Sequence, residues 1–203
     1  MFQHETQWDR ASKLFFDRLI VGEFIQFCWI HAVTQSAPHV PICSFGNVPS
    51  NQIVWEGWNR QGIHAQKAKP ILYVGNDLLT LPDAMMVVDG VQYGAEVKTK
   101  KLNPNYLNVI INLKEVSELQ EAADNLCVEP VFVFHIRDEE TADPSTYVGH
   151  MEKLPPLKSY YVATLDILDS LNEVMTCGER SFRIPFGRLT PASVWLGCED
   201  DQK

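Results

Sequence analysis

Apolar residues recur at three- and four-residue spacing from about Trp8 to Val33: Trp8, Ala11, Leu14, Phe15, Leu19, Ile20, Phe24, Phe27, Cys28 and Ile30. That period predicts one long helix, with Thr6 as its N-cap. Prolines 38, 41 and 49, together with Gly46, Asn47 and Asn51, make residues 35–52 a loop or a short irregular insertion. Ile71-Leu72-Tyr73-Val74-Gly75 reads as a strand that turns at Gly75-Asn76-Asp77. Two further apolar runs, 78–88 and 91–100, are joined by Asp89-Gly90, so the three strands are expected to form a meander. Helical spacing returns over 105–126 (Tyr106, Val109, Ile110, Leu113, Val116, Leu119, Ala122, Ala123). Val131-Phe132-Val133-Phe134 suits a buried strand. Beyond an acidic loop at 137–146, Tyr160–Leu165 reads as a strand, 166–175 as a helix and Phe182–Pro185 as an edge strand. The acidic tail around Glu199-Asp200-Asp201 is expected to be disordered.

The Asp-Gly turn sets a register that can be counted. Both residues tolerate positive φ, which a two-residue hairpin turn requires. Val88 then pairs with Val91, Val87 faces Gln92, Met85 faces Gly94, and Asp83 faces Glu96. Opposed side chains share a sheet face with Cβ atoms about 4.5–5.5 Å apart. Lys98, two residues on, points to that face as well. Like charges directly opposite each other are destabilising. A raised pKa, a cation, or both would offset the repulsion. A hard divalent cation with oxygen ligands suits a pair of carboxylates.

With Pro82-Asp83 on one strand and Glu96-Val97-Lys98 on the next, the chain resembles the PD-(D/E)XK nuclease superfamily. The strict motif covers 82–98 and the resemblance about 10–137. It implies a restriction-endonuclease-like α/β fold: an αβββαβ core with a mixed central sheet flanked by helices, here with a C-terminal elaboration. The elements read from periodicity follow that order. One domain over 1–203 is expected, with its core at about 7–137 and the elaboration at about 138–198. The resemblance further implies a Mg²⁺ site (Mn²⁺ as substitute) held by Asp83, Glu96 and the Val97 carbonyl. Asp83, Glu96 and Lys98 would form the catalytic set, with Lys98 positioning the attacking water. An acid on the first helix completes such sites in many members. Gly22-Glu23 fits, with Glu56 in Trp55-Glu56-Gly57-Trp58 as a rival. The second helix often turns a polar residue to the substrate phosphate, for which Tyr106, Lys114 and Gln120 are candidates, and Lys100 and Lys101 extend the basic strand end.

Charge changes this picture only locally. The net charge is −9, an unfavourable total for a DNA-binding chain. Residues 58–114 nevertheless sum to +3, against −2 before them and −10 after. Phosphate affinity follows local Lys and Arg. The acidity argues against tight non-specific binding to long duplex, and mildly against a junction resolvase. Five scattered cysteines (Cys28, Cys43, Cys127, Cys177, Cys198) contain no Cys-x-x-Cys pair, so reduced thiols in a cytoplasm are expected. The start shows neither a basic nor an apolar leader pattern, and the run from Leu19 to Val33 is too short and polar to span a membrane. The expected function is therefore a Mg²⁺-dependent DNA endonuclease acting on duplex, as a monomer or homodimer, from a phage, mobile element, restriction or repair system. A non-catalytic nucleic-acid- or protein-binding module on the same fold is the alternative, followed by a junction resolvase or RNA endonuclease.

Overall fold

The computed structural model describes residues 22, 24–45, 71–74, 77–100, 102, 105, 107–136 and 154–198, with the backbone alone at 71–74 and 77–80. Residues 24–36 are helical (α1). There follow β1 (Ile42–Ser44), β2 (Ile71–Val74), β3 (Asp77–Thr80), β4 (Ala84–Val88), β5 (Val91–Lys100) and β6 (Asn108–Asn112). Helix α2 (Leu113–Leu126) leads to β7 (Glu129–Ile136), β8 (Tyr160–Thr164) and the short helix α3 (Leu165–Asp169). The remaining elements are β9 (Glu173–Thr176), β10 (Glu179–Pro185), β11 (Thr190–Pro191) and α4 (Ala192–Trp195).

The protein is a mixed α/β molecule. Its main sheet runs β1-β4-β5-β7-β8-β11, antiparallel at every pairing except β5–β7, which is parallel. A parallel step needs a crossover, and β6 with α2 supplies it. Side chains alternate across β5 and β7. Ala95, Val97, Val131 and Val133 join Phe24, Ile25, Cys28 and Trp29 of α1 in one core. Phe132 and Phe134 on the other face pack with Val116 and Leu119 of α2, and with Val109, Ile111 and Ile184 of the β6–β10 pair. Glu96 and Lys98 stand opposite Phe132 and Phe134, and so on the α2 face.

The αβββαβ order is present, but its first strand is not the expected one. That place belongs to β1, inside the stretch read as a loop. Pro38 and Pro41 hid a three-residue strand whose pairing with β4 is non-local. The expected meander is absent: β2 and β3 form a separate hairpin outside the main sheet. The expected strand 78–88 is broken at 81–83, where Pro82 cannot continue a ladder. Residues 108–112 are strand, not the first turn and a half of a helix, because Val109 and Ile111 bury against a partner some 70 residues later. Likewise 166–175 divides into α3 and β9, and β10 is the centre of a β6-β10-β9 sheet instead of an edge. Helix α1 continues past Val33 to 36. The first part of the predicted helix, with Thr6, and the acidic tail lie outside the described residues. No helix among the described residues is long and apolar enough to cross a membrane.

Candidate active site

The hairpin that carries the two acids turns where the sequence indicates. Asp89 (φ 50°) and Gly90 (φ 80°) both adopt positive φ, and pairing runs from Val88↔Val91 to Ala84↔Ala95. The expected Asp83–Glu96 pair is the next step and lies outside this ladder; one step beyond it, Val97 would face Pro82. Proline has no N–H, so the ladder stops there. The Val97 N–H is taken instead by the Asp83 side chain, Oδ2 accepting at 2.8 Å. Peptide N–H and C=O of one strand residue point to the same edge. The Val97 carbonyl therefore points toward Pro82, which has no donor to offer it. Asp83 is fixed through its backbone as well, its carbonyl accepting from the Phe45 N–H at 3.1 Å beside β1. The Pro82 ring packs over Gly94, where an added Cβ would lie 3.3 Å from Pro82 Cγ and 3.1 Å from Val128 Cγ2. Asp83 and Glu96 are both buried, at 6% and 7% exposure. Burial makes the pairing of these acids decisive, because an uncompensated buried charge is very costly.

Part of the compensation is Lys98. Its Nζ lies 3.0 Å from Glu96 Oε1 and 2.9 Å from Glu115 Oε1. Burial alone would lower the Lys98 pKa, but the two carboxylates outweigh it and push the ammonium above the ordinary lysine range. Burial likewise works to raise Glu115, yet the charge and hydrogen bond of Lys98, with Lys100 and the Asn112 N–H, hold its carboxyl below the ordinary range. Lys100 is lowered, by burial first; Glu115 opposes this and the Lys98 charge adds to it.

Glu115 escaped the sequence reading. It occupies the third position of α2 and closes a capping box: the Asn112 side chain accepts from the Lys114 N–H at 2.9 Å, while Glu115 Oε2 accepts from the Asn112 N–H at 3.3 Å. Asn112-x-x-Glu115 ahead of an apolar run is a helix-start signature visible in the sequence. It was masked there by the apolar spacing running through 105–112.

Glu96, Lys98 and Glu115 open into a cleft of about 250 Å³ between β5 and α2, lined also by Leu81, Pro82, Glu118, Leu119 and Ala122, with Asp83 adjoining it behind Pro82 in the chain. Lys100 lies on the same sheet face as Lys98. Lys114 is exposed at the start of α2 and pairs with Glu118 at 3.6 Å. Gln120 is exposed on the side of α2 turned away from the cleft, since residues advance about 100° each around a helix. Glu23, Glu56, Trp55, Trp58, Lys101 and Tyr106 lie outside the described residues. Among the described residues, no group of three His, Cys, Asp or Glu side chains is placed to hold a metal ion. The donors present still suit a hard cation: both are carboxylates, and Mg²⁺ commonly binds through one or two carboxylates while keeping several waters.

No protein-family model matches the chain, and no curated protein matches it. Among solved structures, the chain is similar to Archaeoglobus fulgidus Hjc, a Holliday junction resolvase from an archaeal hyperthermophile. That likeness has 16% identity and a TM-score of 0.36, over 63% of this chain and 80% of that one.

Proposed function

We propose that the cleft between β5 and α2 is the active centre of a divalent-metal-dependent nuclease that hydrolyses DNA phosphodiester bonds internally. The reading is supported by the arrangement around Pro82: Asp83 and Glu96 are both buried, the Asp83 carboxylate accepts from the Val97 N–H next to Glu96 in the chain, and Lys98 pairs with Glu96. Asp83, Glu96 and the Val97 carbonyl would hold Mg²⁺ or Mn²⁺, with Glu23 as third acid and Glu56 as its rival. The bound cation would neutralise phosphate charge and acidify water.

The protein's own groups account for the remainder. The Val97 N–H aims the Asp83 carboxylate. Lys98, held as an ammonium, has three donors and no acceptor. It orients the attacking water and a phosphate oxygen, and offsets charge developing in the transition state. A general-base role would need the opposite pKa shift. Lys100 extends the positive face along the strand, and Lys101 and Lys114 are further phosphate contacts. Gln120 drops out of this set because it faces away from the cleft. Duplex DNA is the proposed substrate, in keeping with a local +3 over 58–114.

A substrate panel tests the proposal. Supercoiled plasmid, linear duplex, single strands, four-way junctions and RNA are incubated with the protein in Mg²⁺, Mn²⁺ or EDTA, alongside Asp83→Ala and Lys98→Ala. Metal-dependent nicking of plasmid, absent from both variants, is expected. Cleavage that survives both substitutions would place the chemistry elsewhere. No cleavage of any substrate, with no metal-dependent rise in melting temperature, would favour a binding module.

A further inference from the structure

We propose that Glu115 is a positioning residue that keeps Lys98 in the cleft when a cation takes over Glu96. The inference rests on the nuclease reading above and adds a residue to it. Two observations carry it. Lys98 is shared almost equally, 3.0 Å from Glu96 and 2.9 Å from Glu115. Glu115 is itself immobilised, one oxygen on the ammonium and the other on the Asn112 N–H at the helix start.

A cation bound by Asp83 and Glu96 would compete with Lys98 for the Glu96 carboxylate and repel the ammonium. A lysine has about 2 kcal/mol of rotamer entropy to regain by leaving. Without a second anchor, the side chain either stays on Glu96 and opposes the cation or swings out of the cleft. Glu115 supplies that anchor on the opposite wall. Its placement comes from local sequence, because a capping box fixes the third helical residue against the N-cap. Lys98 thus bridges the strand that carries the acid and the helix that lines the cleft.

Glu115→Gln separates this role from helix capping, because glutamine also closes a capping box while losing the charge. Two quantities are measured in wild type, Glu115→Gln, Lys98→Met and the double variant: Mn²⁺ affinity without substrate, and single-turnover cleavage with saturating Mn²⁺. Glu115→Gln is expected to keep the melting temperature within a few degrees and to slow cleavage on the order of 10–100-fold, the scale of a misplaced group. It is also expected to weaken Mn²⁺ binding several-fold. In the Lys98→Met background both effects should vanish, since Glu115 acts through Lys98. A Glu115→Gln effect of equal size with and without Lys98 would overturn the proposal, as would no effect in either background. Coupling in Mn²⁺ affinity without cleavage by any form would remove the nuclease reading and leave the clamp. Cleavage without coupling would remove the clamp and leave the nuclease.

Discussion

Asp83 is tied at two points, its carbonyl by Phe45 and its Oδ2 by Val97, so substitutions there separate structure from chemistry. Asparagine retains an acceptor for the Val97 N–H; alanine leaves that N–H without its partner. An unsatisfied buried donor costs about 1–3 kcal/mol. Urea unfolding in EDTA should therefore show Asp83→Ala less stable than Asp83→Asn by about that amount, while neither variant cleaves. Equal stabilities would mean that the Asp83–Val97 bond contributes little. The Lys98–Glu115 pair gives a pH test in the same metal-free state. Glu115, held low, contributes stability above its unfolded pKa of about 4.3 and loses it as pH falls through the lower folded value. Lys98, held high, contributes below about 10.4 and loses it only as pH rises through its higher folded value. The difference in unfolding free energy between wild type and Glu115→Gln should then be flat from about pH 5 to 9, of order 1 kcal/mol or less for a partly exposed pair, and shrink in acid. A difference that drifts across the neutral range would contradict this assignment. At this scale the sequence was informative where local rules act. Asp89-Gly90 fixed which residues face one another as far as Ala84↔Ala95. Glu115 was not recognised, because its importance depends on where α2 lands relative to β5.

Among the elements, the hairpin and α2 position the cleft, and Gly94 is where the hairpin packs against Val128, between α2 and β7. A methyl group there would press on Pro82 and Val128. Overpacking of this kind typically costs about 1–3 kcal/mol, more than the roughly 0.5–1 kcal/mol that removing a strand glycine returns. Gly94→Ala is expected to lower the melting temperature and, by displacing Pro82 and the adjoining Asp83, to reduce cleavage by about tenfold or more. Unchanged activity would show that Pro82 does not position its neighbour. The misread elements share one physical cause. Asn108–Asn112 and Ile42–Ser44 are short runs whose state is decided by partners distant in sequence, β10 and β4. Spacing alone cannot distinguish a buried strand from part of a helix at that length. Pro82 is a further break legible in the chain, since proline cannot donate to a central ladder.

For the whole molecule, the net charge of −9 sets the character of binding. Each phosphate neutralised contributes about −0.9 to the slope of log affinity against log salt on duplex DNA. A few lysines around one cleft on an acidic body should give a shallow slope, about −2 to −4 in a fluorescence-anisotropy titration with Ca²⁺ in place of Mg²⁺. A slope steeper than about −6 would require a basic surface beyond the residues named here. The β4–β5 hairpin, α2 and β7 were legible because they have strong local patterns, whereas β1, the first strand of the core order, was not. The β6-β10-β9 sheet and the β8–β11 extension of the main sheet were not, since they are assembled from short segments by tertiary pairing.

Single-turnover cleavage of a supercoiled plasmid by wild type, Asp83→Asn, Glu96→Gln and Lys98→Met, each in Mg²⁺ and in EDTA, addresses the central claim most directly. Wild type should convert plasmid to nicked or linear product in Mg²⁺ only, and each substitution should slow that conversion by at least about 10²-fold. Cleavage by wild type in EDTA, or undiminished cleavage by Asp83→Asn and Glu96→Gln, would contradict the assignment of this carboxylate pair to a metal-dependent nuclease centre.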